Sequence, residues 1–157
     1  MMNNFSFQNL TRLIMGKGTI ARLSEEIPAG KKVMITFGGG SVKKNGVYDQ
    51  VKAALKDYQT VEFWGIEPNP AIETLRKAIA LGKEENVDFL LAVGGGSVID
   101  GTKLISAGLL YEGDAWELVQ KGSATHTVPL ATVLTLPATG SEMNNGAVIS
   151  CRETQEK

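Results

Sequence analysis

Residues 90–103 read LLAVGGGSVIDGTK, and residues 35–46 read ITFGGGSVKKNG. Each apolar run ends in Gly-Gly-Gly-Ser-Val, after which one copy continues to Ile99 and Asp100 and the other to Lys43 and Lys44. The run before the second turn is apolar without interruption, the pattern of a strand covered on both faces of a parallel sheet. SVIDGTKLISAGLL then reads as a helix leaving that turn. The unit is therefore strand, glycine turn, helix, and its recurrence predicts how the rest of the chain is organised.

The surrounding sequence keeps this rhythm. KKVMITF forms a strand closed by Gly38, and NGVYDQVKAALKDY carries Val47, Val51, Ala54, Leu55 and Tyr58 at helical spacing. TVEFWG is a second strand. The next helix starts with Asn69 as N-cap and Pro70 in the first helical position, and turns Ile72, Leu75, Ile79 and Ala80 to one face. DFLLAVGGG is a third strand, DAWELVQK a short helix, and VPLATVLTLPATGSE a fourth strand ended by Pro137. FSFQNLTRLIMG, near the N-terminus, is expected to form a hairpin or an added edge. Alternating strands and helices imply parallel strands joined by right-handed crossovers. The fold expected is a Rossmann-like, doubly wound α/β parallel sheet, with residues 1–157 as one domain.

Composition narrows the functional classes. The chain has 157 residues, 43% of them hydrophobic, enough for a single core. A formal net charge of -1 supplies no field to hold a nucleic-acid backbone or an acidic membrane, so neither is expected as a partner. No apolar run reaches bilayer length and MMNNFSFQNLTRLIMGKG does not resemble a signal peptide, so a soluble, cytoplasmic protein is expected. Cys151 is the only cysteine and His126 the only histidine, so neither a disulfide nor a zinc-type ligand set can be composed from them.

In an open α/β sheet, ligands gather outside the carboxyl ends of the strands, where both glycine turns are expected. Glycines let the backbone approach a ligand closely and let successive N–H groups point the same way, an arrangement suited to phosphate. The G-x-G-x-x-G fingerprint fails because Ile99 stands where its last glycine belongs. A nucleotide-triphosphatase loop fails because Gly96 and Gly101 are followed by Thr102-Lys103 in the wrong order, with Asp100 inside the cradle. What remains is one extended ligand shared between the twin turns. The first turn has no carboxylate and offers Ser41, Lys43 and Lys44, as a 2′-phosphate requires; the second would take the pyrophosphate of the same NADP molecule.

The stretches TRLIMGKGTIARL, ITFGGGSVKKNGVYDQV, GIEPNPAIETL, FLLAVGGGSVIDGTK and LTLPATGSEMNNGAVIS together resemble landmarks of the iron-containing (group III) alcohol dehydrogenases, especially the NADPH-dependent butanol dehydrogenase and aldehyde reductase branch. The resemblance implies a dehydroquinate-synthase-like, two-domain enzyme in which an N-terminal α/β domain holds the coenzyme and a helical C-terminal domain supplies the metal. It implies pyrophosphate contacts at Gly95, Gly96 and Ser97, with Asp100 toward the nicotinamide. Gly38, Gly39 and Ser41 would surround the adenosine end, Asn69 would stand in the cleft, and Thr135, Thr139, Ser141 and Asn144 would form a polar wall. Lys157 would reach the nicotinamide ribose. The family's iron or zinc is held by one Asp and three His that this sequence does not contain, so the 157-residue chain by itself is expected to bind NADP(H) without turning over an alcohol or aldehyde. It is also expected to self-associate as a homo-oligomer. Two readings compete with this one: a glycerol or polyol dehydrogenase relative on the same architecture, and a non-catalytic dinucleotide-binding module.

Overall fold

The structure, a computed structural model, describes residues 9–157. Four strands make one parallel sheet: β1 (Lys32–Phe37), β2 (Gln59–Phe63), β3 (Phe89–Gly95) and β4 (Leu130–Leu136), in the order β2-β1-β3-β4. The helices are α1 (Leu23–Glu26), α2 (Ser41–Lys44), α3 (Val47–Ala54), α4 (Ile72–Glu84), α5 (Gly96–Gly108) and α6 (Ala115–Lys121). Side chains alternate across each strand, so β1 sends Val33, Ile35 and Phe37 to a layer with Val51 and Leu55 and sends Met34 to the opposite layer with Ile72, Leu75 and Ile105. Both layers are buried. That explains the unbroken apolar run that leads β3 into its glycines and the largely apolar β1, and the sheet is doubly wound as expected.

The strand order sets the position of the site. From β1 the chain winds outward to β2, and from β2 it crosses back through α4 to reach β3 on the other side of β1. The winding direction thus reverses between β1 and β3, and a crevice opens at their carboxyl ends. Beneath it, the buried hydroxyls of Thr36 in β1 and Thr102 in α5 lie 2.6 Å apart. Thr102 Oγ1 also lies 2.7 Å from the Val98 carbonyl and Thr36 Oγ1 3.4 Å from the Leu91 carbonyl, and either hydroxyl can donate across the pair. This bond fixes the rotation of α5 against the sheet.

Several expectations are corrected. Asn69 is not an N-cap and Pro70 is not in the helix, because Asn69 has φ 55 and α4 begins at Ile72 behind an extended Ala71. The Ile72 N–H is satisfied from outside the helix by the Ser150 carbonyl at 2.9 Å, so no side-chain cap is needed. Ala80 is exposed, and Ala78 and Gly82 join Ile72, Leu75 and Ile79 on the buried face. At 100° per residue Ala80 falls on the far flank of that stripe. The helix predicted over residues 45–58 is confined to α3, and Ser41–Lys44 make a separate short turn of helix. Of the expected N-terminal hairpin, residues 5–8 lie outside the described residues, and residues 9–15 carry no regular secondary structure.

The Thr36–Thr102 pair gives a first prediction. Replacing Thr102 alone by Val strands a buried partner and should cost about 1–3 kcal/mol in urea unfolding. The double Thr36→Val, Thr102→Val variant should cost less than the sum of the single changes.

Candidate functional site

Both glycine turns open onto the crevice, but their glycines have different reasons to be there. Gly40 has φ 95, which a side chain rarely tolerates. A Cβ at Gly38 would press on the Ile66 carbonyl and Val98 at 3.3 and 3.4 Å, one at Gly94 would meet Val98 at 2.6 Å, and one at Gly96 would meet Thr139 at 2.4 Å. These four serve the fold. Among the described residues nothing lies within 4 Å of a Cβ added at Gly39, and one added at Gly95 would meet Leu136 alone, at 3.7 Å, an ordinary contact; neither glycine has positive φ. Packing among the described residues thus leaves positions 39 and 95 free to carry side chains.

Beyond the second turn, a polar network builds one wall. Asp100, one turn into α5, accepts from the Ser141 hydroxyl at 2.5 Å and from the Val148 N–H at 3.1 Å. Lys103 donates to Ser141 Oγ at 2.9 Å, to Asn144 Oδ1 at 3.2 Å and to the Gly146 carbonyl at 2.6 Å. Burial pulls the Lys103 ammonium below the usual lysine value, while the charges of Asp100 and Glu142 act in the opposite sense. Thr139 Oγ1 accepts from the Ser141 N–H at 3.3 Å. On β4, Gly94 pairs with Leu134 and Gly95 with Leu136, which leaves Thr135 as the extra residue of a bulge. Bulges of this kind re-aim side chains at the rims of sheets. Lys103 was absent from the expected set, although its spacing of three residues from Asp100 puts both on one face of α5.

A second group gathers at the start of α4. The Asn69 N–H donates to Ser97 Oγ at 3.4 Å, and Lys157 Nζ donates to Asn69 Oδ1 at 3.3 Å. The left-handed conformation of Asn69 is one that asparagine accepts more readily than most residues. Residues 150–157 reach this position because Ser150 bridges to Ala71, and Glu73 accepts the Arg152 N–H at 3.0 Å and the Glu153 N–H at 3.4 Å. Hydrogen bonding from its own backbone N–H is the main cause that holds the Glu73 carboxyl below its usual range; the Arg152 and Glu153 amides add to it against the effect of burial.

The first turn has a different character. Ser41, Lys43 and Lys44 are all exposed on α2. Lys43 Nζ stands over the Trp64 ring, 4.2 Å from its centroid, and none of the ion pairs among the described residues includes it. The Gly65 and Ile66 N–H groups donate to the Gly38 and Phe37 carbonyls at 3.4 and 3.0 Å, which fastens the loop after β2 to this turn. The sequence reading missed Trp64, whose only signal there was its place at the end of a strand next to β1.

The sequence profile of the iron-containing alcohol dehydrogenases matches residues 11–157. The chain belongs to the iron-containing alcohol dehydrogenase family. Within that family it is 55% identical over 160 residues to the probable NADH-dependent butanol dehydrogenase 1 of Bacillus subtilis, and 56% identical over 160 residues to the NADPH-dependent aldehyde reductase YqhD of Escherichia coli. Each match covers 99% of this chain and 41% of the relative. Among solved iron-containing alcohol dehydrogenase relatives, the crystal structure of E. coli K-12 YqhD superposes with a TM-score of 0.94 at 56% identity, covering 97% of this chain and 40% of that one. The NADH-dependent butanol dehydrogenase A of Thermotoga maritima gives 0.92 at 47% identity, covering 98% and 40%. The chain thus spans about two fifths of the length of the relatives it matches.

A member of the iron-containing alcohol dehydrogenase family calls for a test of its metal donors. Among the described residues no group of three His, Cys, Asp or Glu could hold a metal ion. His126 is exposed and pairs with Thr125 at 3.0 Å, and Cys151 is buried beside Glu73. The described residues therefore do not fit the metal. No helix among them is long and apolar enough to cross a membrane.

Two predictions follow from the walls. Ser141→Ala removes the hydroxyl shared by Asp100 and Lys103; it should cost about 1–3 kcal/mol and speed amide exchange at Val148. The depressed Glu73 carboxyl contributes stability that is fully present above its ordinary unfolded value and is lost as pH falls through its lower folded value. In an NMR titration the Arg152 and Glu153 amide signals should move in that acid window, and Glu73→Gln should abolish the movement.

Proposed function

We propose that residues 1–157 form the NADP(H)-binding domain of an alcohol dehydrogenase or aldehyde reductase that interconverts primary alcohols and aldehydes. One observation carries the reading: Gly39 and Gly95, on adjacent strand ends, are bare where the fold has no need of glycine. In this reading the bound coenzyme supplies a hydride at C4 of its nicotinamide, and the residues of this chain bind and orient it.

The N–H groups of Gly95, Gly96 and Ser97 take the pyrophosphate at the start of α5, a thirteen-residue helix whose partly positive end favours an anion. Gly38, Gly39 and Ser41 border the adenosine end. Thr135, Thr139, Ser141 and Asn144 form the wall on which the nicotinamide half rests, and Asn69 and Lys157 close the cleft from the α4 side. Asp100 serves from behind: both of its oxygens are bonded to the wall, so it orients the coenzyme through Ser141 and Val148. Preference for the 2′-phosphate is supported by Lys43, which has no carboxylate partner among the described ion pairs. It is also supported by Glu62 at the end of β2, whose two oxygens are engaged by Tyr48 at 3.0 Å, Lys52 at 3.0 Å and Trp64 at 2.9 Å instead of facing a ribose.

Calorimetric titration of NADPH and NADH into the chain tests this. Gly39→Ala and Gly95→Ala should fold with equal or higher stability, since alanine fits both backbones, yet bind NADPH at least about tenfold more weakly, ~1.4 kcal/mol. Wild type should prefer NADPH, and Ser41→Asp should reverse that order. Undiminished NADPH affinity in both glycine variants would sink the proposal.

A further inference from the structure

The lysine offered to the 2′-phosphate lies at the edge of a small aromatic assembly. The Trp64 ring stacks on Phe37, with centroids 4.0 Å apart and planes at 13°, and Tyr48 lies tilted at 5.7 Å from both. Trp64 Nε1–H donates to Glu62 Oε2, and the Tyr48 hydroxyl donates to Glu62 Oε1. Burial by itself would raise the Glu62 carboxyl, but hydrogen bonds from Trp64, Lys52 and Tyr48 outweigh it and hold it below the usual carboxylate range. The Trp64 ring is thus fixed on one face by Phe37 and at one edge by an ionised carboxylate. Over the ring stands Lys43 Nζ, 4.2 Å from the Trp64 centroid and 5.4 Å from that of Tyr48.

We propose that Trp64 is a specificity-determining positioning residue, which confines the Lys43 ammonium at the rim of the first glycine turn so that the site prefers a coenzyme carrying a 2′-phosphate. This rests on the NADP reading of the same turn. An exposed lysine samples many rotamers, and ordering it on binding weakens the phosphate contact it makes. An indole face restricts that search and attracts the cation only weakly, so a dianionic phosphate can draw the ammonium off it. Glu62 would neutralise Lys43 if free, but it is engaged with Lys52 and the two aromatic rings. Trp64 is held next to the glycine turn by the Gly65 and Ile66 amides, so the preference is built from β1 and β2 together.

The test uses adenosine 2′,5′-bisphosphate and adenosine 5′-monophosphate as probes of the adenosine end, titrated calorimetrically into the 157-residue chain. Trp64→Leu is expected to weaken the bisphosphate about tenfold while leaving the monophosphate within about twofold, and Trp64→Phe to restore most of the loss because it keeps a ring face. Lys43→Ala should lose at least as much. A Trp116→Phe background, which sacrifices no hydrogen bond among the described residues, leaves Trp64 as the sole indole emitter. There the bisphosphate should change the emission in a way the monophosphate does not, and Lys43→Ala should abolish the difference. If Lys43→Ala weakens the bisphosphate and a folded Trp64→Leu does not, the role of Trp64 is refuted and the NADP reading stands. If wild type does not discriminate between the two probes, the NADP reading fails and this inference with it. Should Trp64→Leu fail to fold, the emission measurement decides, and identical responses to the two probes would refute the proposal.

Discussion

The pairing of β1 with β3 is the constraint on which the rest depends. These are adjacent parallel strands between which the winding of the chain reverses, so both of their exits are left uncovered by any crossover. Each exit is a triple-glycine turn, and the turns are brought side by side by the register that sets Phe37 opposite Val93. The close fit of Gly38 against Val98, and the Thr36–Thr102 bond below, tie the first turn to the helix that leaves the second. A ligand long enough to touch both would meet a single rigid rim.

The two ends of that rim are held by different forces. At the second turn the wall is polar: Asp100 and Lys103 reach from one face of α5 to Ser141, Asn144, Gly146 and Val148, and the geometry is set by directional hydrogen bonds to partly buried charges. Such networks specify position sharply because each bond lost leaves a desolvated group behind. At the first turn the support is aromatic stacking with one carboxylate at its edge, and the charged lysine itself stays in solvent. The first arrangement suits a fixed wall; the second suits a cation that must move a short distance when an anion arrives.

The strand and helix order, the two-sided burial of β3, the lone Cys151 and the twin turns were all legible in the sequence, because periodicity and glycine punctuation are local signals. Of the residues expected at the site, Asn69, Ser97 and Lys157 come together, and Asp100, Ser141 and Asn144 join one network through Lys103. Sequence failed at the start of α4. There an Asn-Pro pair has the look of an N-cap, while the actual first turn is completed by Ser150 from the other end of the chain. It failed again at Ala80, whose apolar character does not reveal which flank of a helix it occupies.

By itself, then, the sequence determined the class of sheet and where its turns fall, since these follow from residue spacing along one strand and helix at a time. Only the tertiary structure decided that Gly39 and Gly95 are free of packing duty, that Asp100 and Lys103 are bonded to the wall, and that Trp64 stands under Lys43. Each of these is a distance between segments separated by tens of residues, fixed by strand register and helix docking. No pattern within a single segment encodes it.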